Sequence, residues 1–251
     1  MAPIPIALQM YTVRDDAAVD FPGTLQRVAD LGYDGVELAG TGGMDSVSLR
    51  TLLKNLNLQI AGAHVSLVAL ESELLQTLDY YSELGAKHVT CPWLPEERRQ
   101  TSDQYRKLAE ALNSIGEAMN TRGIQLSYHN HAFEFELYEN ETAFDILFGS
   151  TDPQLVKIEL DTYWAEFAGV SAVGLMERYH DRIPLLHLKD MTNDSERTFA
   201  VVGEGTMDFN PILGAGNDAG VEWYIVEQDV CKRPAFESAQ ISLQNLRQLI
   251  S

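Results

Sequence analysis

The sequence predicts a single closed barrel of eight parallel β/α units, the (β/α)8 or TIM-barrel class, with residues 1–251 forming one domain. Three observations carry this reading. Eight strand-like apolar runs alternate strictly with helical patterns at a period of roughly thirty residues, and short-linked alternation of this kind gives a parallel sheet. The passage from helix to strand recurs as Leu31-Gly-Tyr-Asp-Gly-Val36, Leu84-Gly-Ala-Lys-His-Val89, Thr121-Arg-Gly-Ile124 and Asp218-Ala-Gly-Val221. Each is a helix end, a glycine suited to the left-handed conformation, then a strand. The length of 251 residues also matches the roughly 250 typical of this fold. A doubly wound sheet would carry a Gly-rich dinucleotide loop after strand one, where Gln9-Met-Tyr-Thr-Val-Arg14 stands instead.

Taken in order, Ile4 to Met10 reads as strand one, and Phe21-Pro22 opens a helix with Leu25, Val28, Ala29 and Leu31 at helical spacing. Gly35 to Ala39 is strand two, followed by a helix from Val47 to Leu56; strand three runs from Gln59 to Val65. A helix from about Glu71 to Leu84 precedes strand four, Lys87 to Cys91, which Pro92 ends. Gln104 to Thr121 is the longest helix, with Leu108, Ala111, Leu112, Ile115 and Met119 inward. Strand five begins at Ile124 and ends in Tyr128-His-Asn-His131, and a short helix follows over Asn140 to Phe148. Strand six is Val156 to Asp161, strand seven Leu185 to Lys189 and strand eight Trp223 to Glu227. Helices over Val170–Tyr179, Pro211–Ala219 and Phe236–Ile250 complete the units, and the long connection from Thr192 to Asp208 reads as a loop over the barrel mouth.

Composition narrows the function. Lys and Arg number 18 against 37 Asp and Glu, a net charge of −19, which disfavours nucleic acid and anionic membranes as partners. The first residues show no basic segment and no long apolar run, so neither signal peptide nor membrane span is expected and the location expected is cytoplasmic. Nothing in the composition opposes a homo-oligomer. Cys91 and Cys231 do not make a disulfide framework and read as reduced small hydrophobes.

The strand ends carry chemistry. In a (β/α)8 barrel the active-site groups come from the C-terminal ends of the strands. Here those ends offer Gln9, Glu37, His64, Cys91, His129 to His131, Glu159 with Asp161, His187 with Lys189, and Glu227. Alternation points Glu159 and Asp161 one way, and His187 and Lys189 likewise. Glu134, Asp161, His187 and Glu227 make a candidate site for one divalent ion, Mg²⁺ or Mn²⁺ by donor type, with Co²⁺ or Zn²⁺ also suited. A cation explains how several carboxylates share one cavity without raising each other's pKa. On this reading the four groups converge within about 6 Å of one centre, with Glu159 and Asp190 as supporting partners.

Together the residues resemble the xylose isomerase-like TIM-barrel superfamily, in its sugar phosphate isomerase/epimerase branch. The carriers are Gln9-Met-Tyr-Thr-Val-Arg14, Gly35-Val-Glu-Leu38, His129-Asn-His131 with Phe133-Glu-Phe135, Leu160-Asp-Thr-Tyr-Trp164, His187-Leu-Lys-Asp190, Val202-Gly-Glu-Gly205 with Asp208, and Val226-Glu227. The resemblance implies one ion held by a strand-five Glu, a strand-six Asp, a strand-seven His and a strand-eight Glu, two of the carboxylates also moving protons. This sequence departs at strand five, where Ser127 and Tyr128 stand in place of the Glu. Glu134 must reach back from the loop, or His129 or His131 replaces it. The chemistry implied is sugar or sugar-phosphate isomerisation or epimerisation by proton transfer through an enediolate, with Glu134 and Glu227 as the proton-moving pair and Lys189 polarising a hydroxyl. Gln9, Glu37, His64, His129, His131 and Trp164 are expected to contact a small carbohydrate substrate. His64 reads equally as a core histidine, and Trp164 and Phe133 as lining of the mouth. The same groups would serve a lyase or dehydratase acting on a keto-sugar or glycoside, since β-elimination begins with the same proton abstraction. A non-catalytic sugar-binding barrel is a further alternative. Six histidines and the acidic surface argue against the family's DNA-repair nucleases.

Overall fold

The computed structural model describes residues 3–250. Eight parallel strands form the barrel: β1 (Ile6–Gln9), β2 (Gly35–Leu38), β3 (Gln59–Ala63), β4 (His88–Cys91), β5 (Gln125–His129), β6 (Val156–Asp161), β7 (Leu185–Leu188) and β8 (Trp223–Val226). Each pairs with its sequence neighbours, and β1 pairs with β8. Between β3 and β4 the ladder shrinks to one bridge, His64 to Thr90, with Val65 N donating to Thr90 O at 2.9 Å. That single bridge closes the ring.

The eight main helices are α1 (Phe21–Leu31), α2 (Ser46–Asn55), α3 (Leu74–Leu84), α4 (Ser102–Asn120), α5 (Ala143–Ser150), α6 (Ala172–Arg178), α7 (Phe209–Asp218) and α8 (Ala235–Leu249). Their starts follow local chemistry. Asp20 accepts from Gly23 N to cap α1 with a proline in its first turn, and Thr101 and Gln104 form a reciprocal capping box on α4. Gly32 and Gly85 stand at φ 93° and 87° beyond α1 and α3, the left-handed ends that the recurring sequence pattern predicts.

Strand alternation sorts the molecule into two apolar layers. Leu8, Val36, Val89, Leu126, Tyr128, Leu160, Leu186 and Tyr224 face outward and join the core beneath the helices. Ala7, Ala61, Leu185, Trp223 and Ile225 form a separate cluster, which fills the lower barrel. One step further along the same inward rows come Gln9, Glu37, Glu159, His187 and Glu227. The interior changes from apolar to ionisable over two residues of strand.

Several boundaries differ from expectation. Strands three and eight are shorter than expected because their last residues leave the ladder at the mouth, and strand one is trimmed at both ends. The segment expected as helix from Asn140 starts instead with a small hairpin, Leu137–Tyr138 against Glu141–Thr142, and α5 begins at Ala143. Short helices over Arg14–Val19, Leu67–Ser72 and Thr162–Phe167 lie in connections too brief to show a full apolar period. Among the described residues no helix is long and apolar enough to cross a membrane. Both cysteines are free thiols, and burial pushes the Cys91 thiol up to about 12.

One side chain makes four of the hydrogen bonds that hold the loop expected over the mouth. The buried Asp190 carboxylate accepts from the backbone N–H groups of Met191 (2.7 Å) and Met207 (3.0 Å) through Oδ1, and of Gly203 and Gly205 (2.9 Å each) through Oδ2. A Cβ on Gly205 would collide with that carboxylate. Asp190→Ala leaves four donors without their acceptor and is expected to cost about 2–4 kcal/mol in urea unfolding. A loss under about 1 kcal/mol would show that the loop stands on other contacts.

Candidate active site

The centre of the inward cluster is Glu159. Its Oε1 lies 2.6 Å from His64 Nε2, 3.0 Å from His129 Nδ1 and 3.1 Å from His187 Nε2, and its Oε2 accepts from Thr90 Oγ1 at 2.7 Å. Glu37 Oε2 adds contacts to His187 Nε2 (2.7 Å), His64 Nε2 (3.2 Å) and Gln9 Nε2 (2.6 Å). Glu37 reaches this position across Gly62, where a Cβ would lie 2.7 Å from its Oε1.

The opposite nitrogens of two of these imidazoles face the mouth. His129 Nε2 is 3.5 Å from Asp161 Oδ2, and His187 Nδ1 is 2.9 Å from Glu227 Oε2. Lys189 Nζ bridges Asp161 Oδ2 (3.0 Å), Glu227 Oε2 (2.8 Å) and Asp229 Oδ1 (2.7 Å). Asp161 Oδ1 is already used, accepting from Trp164 N to cap the short helix that follows β6. Asn130 exchanges two hydrogen bonds with the Asp161 backbone, which fixes the end of β5 against the end of β6.

Charge and burial set the protonation states. Burial alone would depress His64, but the carboxylates of Glu37 and Glu159 outweigh it and raise the imidazole to about 10. His187 is likewise raised well above its ordinary value, burial opposing and Glu159 and Glu37 prevailing. Burial pushes Glu159 and Glu227 up, yet the cationic His64 and His187 beside the first and Lys189 beside the second hold both well below the usual carboxylate range.

The donor set fits a divalent cation. Ligand atoms of His129, Asp161, His187 and Glu227 lie within 4.8 Å of one another, and two ligands on one ion at about 2.0–2.2 Å can be at most about 4.4 Å apart. Small rotations would gather them. The cluster also lacks positive charge: Glu37, Glu159, Asp161, Glu227 and Asp229 are five carboxylates against Lys189 and three imidazoles, so one negative charge is left even with every imidazole protonated. A second group, His64, His129, Glu159 and His187, meets the same distance criterion. His129 and His187 present to Glu159 the nitrogens remote from the mouth, the usual way a carboxylate orients a metal-ligating histidine.

The sequence-predicted residues divide accordingly. Asp161, His187 and Glu227 come together as expected, and Lys189 stands among them. Glu134 does not join them. Its Oε1 accepts from Tyr128 Oη (2.6 Å) and its Oε2 from His131 N (2.7 Å). Tyr128 points outward into the helix-side core, so the carboxylate is drawn behind the barrel wall, where burial pushes it up to about 8. His129 occupies the place at strand five. Gln9 and Glu37 sit below the mouth, whereas His64, His129, His131, Trp164, Lys189 and Glu227 line a cavity of about 1180 Å³ above it. Sequence reasoning did not pick out Thr90, Asp229, Trp93 or Arg99. Asp229 could have been found, since it stands two residues beyond Glu227.

The comparisons agree with this architecture. Residues 25–249 match the family described as the xylose isomerase-like TIM barrel. The chain belongs to that family. An inosose dehydratase of Geobacillus kaustophilus is 28% identical, over 90% of this chain and 86% of its own. The crystal structure of a sugar phosphate isomerase/epimerase from Parabacteroides distasonis superimposes with a TM-score of 0.84 at 26% identity, covering 100% of this chain and 96% of that one. The IOLI protein crystallised with a zinc atom has a TM-score of 0.77 at 14% identity over 99% and 98% of the two chains, a likeness of fold. This family barrel is an enzyme scaffold with a metal-compatible cluster at its mouth.

Three variants test the candidate ligand set. His129→Ala is expected to lower affinity for Mn²⁺ or Zn²⁺ by at least about 100-fold in calorimetric titration, more than the 10–100-fold typical of losing an outer partner. Glu134→Gln is expected to bind the ion as the parent does. The reverse order would return Glu134 to the site. Lys189→Met removes an ammonium held against two of the ligand carboxylates and is expected to tighten ion binding at least about tenfold.

Proposed function

We propose that the protein is a divalent-metal-dependent lyase that dehydrates a polyhydroxylated ketone, a keto-sugar or a keto-cyclitol such as an inosose. The observation that carries this is the imidazole at strand five. Isomerisation or epimerisation with two carboxylates needs one on each side of the substrate, yet His129 holds the strand-five position and Glu134 is turned behind the wall. The isomerase/epimerase activity expected from the sequence therefore loses half of its proton-moving pair. The curated relatives named inosose dehydratase, 24–28% identical, favour the same reading.

A divalent ion held by His129, Asp161, His187 and Glu227 would polarise a ketone oxygen and lower the acidity barrier of the adjacent C–H. Glu227 takes the proton from the carbon beside the carbonyl. Lys189, kept charged by Asp161, Glu227 and Asp229, gives a proton to the hydroxyl leaving the next carbon. The substrate thereby loses one water and becomes an enol that relaxes to a diketone. Transfer of the proton from Glu227 to the neutral Lys189 beside it resets both groups. His131 lines the cavity with its ring stacked 5.4 Å from Phe133 and shapes the wall facing the substrate.

The test is incubation of the metal-loaded protein with an inosose and a 3-keto-hexose, following the ultraviolet absorbance of the enol or diketone and the loss of the C–H signal in D₂O. Elimination without any epimer is the expected result; an epimer or aldose–ketose pair without elimination would overturn the lyase reading. Glu227→Gln is expected to retain ion but lose about 10²–10⁴-fold in rate. Rescue of that variant by excess metal would remove Glu227 from the proton transfer.

A further inference from the structure

The ionisable cluster occupies one end of the cavity only. The rest extends between the loop that follows β4 and the turn that follows β5. Clefts of about 300–1,000 Å³ already enclose drug-sized ligands, so a cavity of about 1180 Å³ is left mostly unfilled by one six-membered polyol at the cluster.

The outer arm is built to receive a ring. Trp93 is 48% exposed, with its indole set edge to face against His131 (4.8 Å) and Phe133 (5.2 Å). The Arg99 guanidinium lies 3.6 Å from the Phe133 centroid and has no hydrogen bond to a described side chain or carbonyl, so its N–H donors remain for a ligand. The loop is held rather than loose: Tyr138 Oη donates to Arg99 O at 2.6 Å, and Gln104 Nε2 to Glu97 O at 2.8 Å. Gln100 and Glu136 add polar edges to the same arm. Phe133 is covered by Arg99 and by the parallel ring of His131 and holds the arm in place, and the exposed Trp93 indole with polar groups around it matches a flat ring carrying hydroxyls.

We infer that the substrate is a conjugate, a keto-sugar or keto-cyclitol joined to a second hydroxylated ring, and that the second ring seats on the exposed indole of Trp93 with its hydroxyls toward Arg99. The identity of the group at the cluster rests on the lyase reading above; the ring seat rests on the arm alone. A second sugar and a phenolic aglycone share this chemistry. Binding of unoxidised ligands to the metal-loaded protein is therefore measured by calorimetry: a free hexose, a disaccharide and a phenolic glycoside. A ring-bearing ligand is expected to bind about tenfold tighter than the free sugar, and the ligand with the advantage names the source. Trp93→Ala is expected to erase most of that ratio, and Trp93→Phe to keep part of it. Equal affinity for all three ligands, or an unchanged ratio in Trp93→Ala, overturns the inference. Turnover of the keto forms is scored separately. Elimination without any ring preference in binding leaves the lyase standing and removes the ring seat, whereas a Trp93-dependent preference without elimination does the reverse.

Discussion

The structure depends on the Glu159 carboxylate. A fully buried carboxylate costs several kcal/mol unless donors surround it, and here four side chains from four other strands or strand ends supply them: His64, Thr90, His129 and His187. Two of these, His64 and Thr90, are also the pair that forms the single bridge between β3 and β4. The weakest seam of the barrel is thus closed from inside by the same carboxylate that orients the imidazoles. Fold and site share one set of bonds, and a change that loosens the seam also releases the ring nitrogens facing the mouth.

Most of the fold was legible because the barrel repeats itself. Eight apolar runs, glycines at the helix ends and alternation along strands predicted both the strand order and the inward rows. What escaped was short: the hairpin at Leu137–Thr142 and the one-turn helices, whose few residues cannot show a period. At the site, Asp161, His187 and Glu227 were readable from strand position alone. Glu134 was not, because it lies on the turn after the strand and its place is set by a hydrogen bond from Tyr128. Tyr128 faces the helices, and its hydroxyl draws the carboxylate to that side. Strict alternation from Leu126 would have turned Tyr128 outward and His129 inward, so the strand-five residue at the mouth was present in the sequence as a matter of phase rather than of residue type. The cavity arm was not readable, since Trp93 and Arg99 meet Phe133 only through folding of two separate loops.

The lysine at the mouth has a consistent place in this arrangement. Lys189 balances Asp161, Glu227 and Asp229 together. A divalent ion taken up by Asp161 and Glu227 would leave Asp229 as the counter-charge of the ammonium. Burial of Asp229 raises its carboxyl, and Lys189 pulls it back. The pair holds the ammonium beside Glu227 without leaving either charge alone in a dry cavity.

The imidazole at strand five follows from the same constraint. Position 129 faces Glu159 at 3.0 Å, where a carboxylate would set two negative charges in contact inside the barrel and raise the pKa of one of them. A histidine instead donates to Glu159 with one nitrogen and offers the other to the mouth. With Glu159 as the hub, a carboxylate at position 129 would crowd it, and the carboxylates left at the mouth are Asp161, Glu227 and Asp229, gathered around Lys189; on the proposed reading Glu227 is the base and Lys189 the acid. One base and one acid on adjoining strand ends suit removal of a proton from one carbon and a hydroxyl from the next. They do not suit returning a proton to the opposite face of the same carbon. On the proposed reading, the preference for elimination over epimerisation is set below the active site, by the carboxylate that closes the barrel.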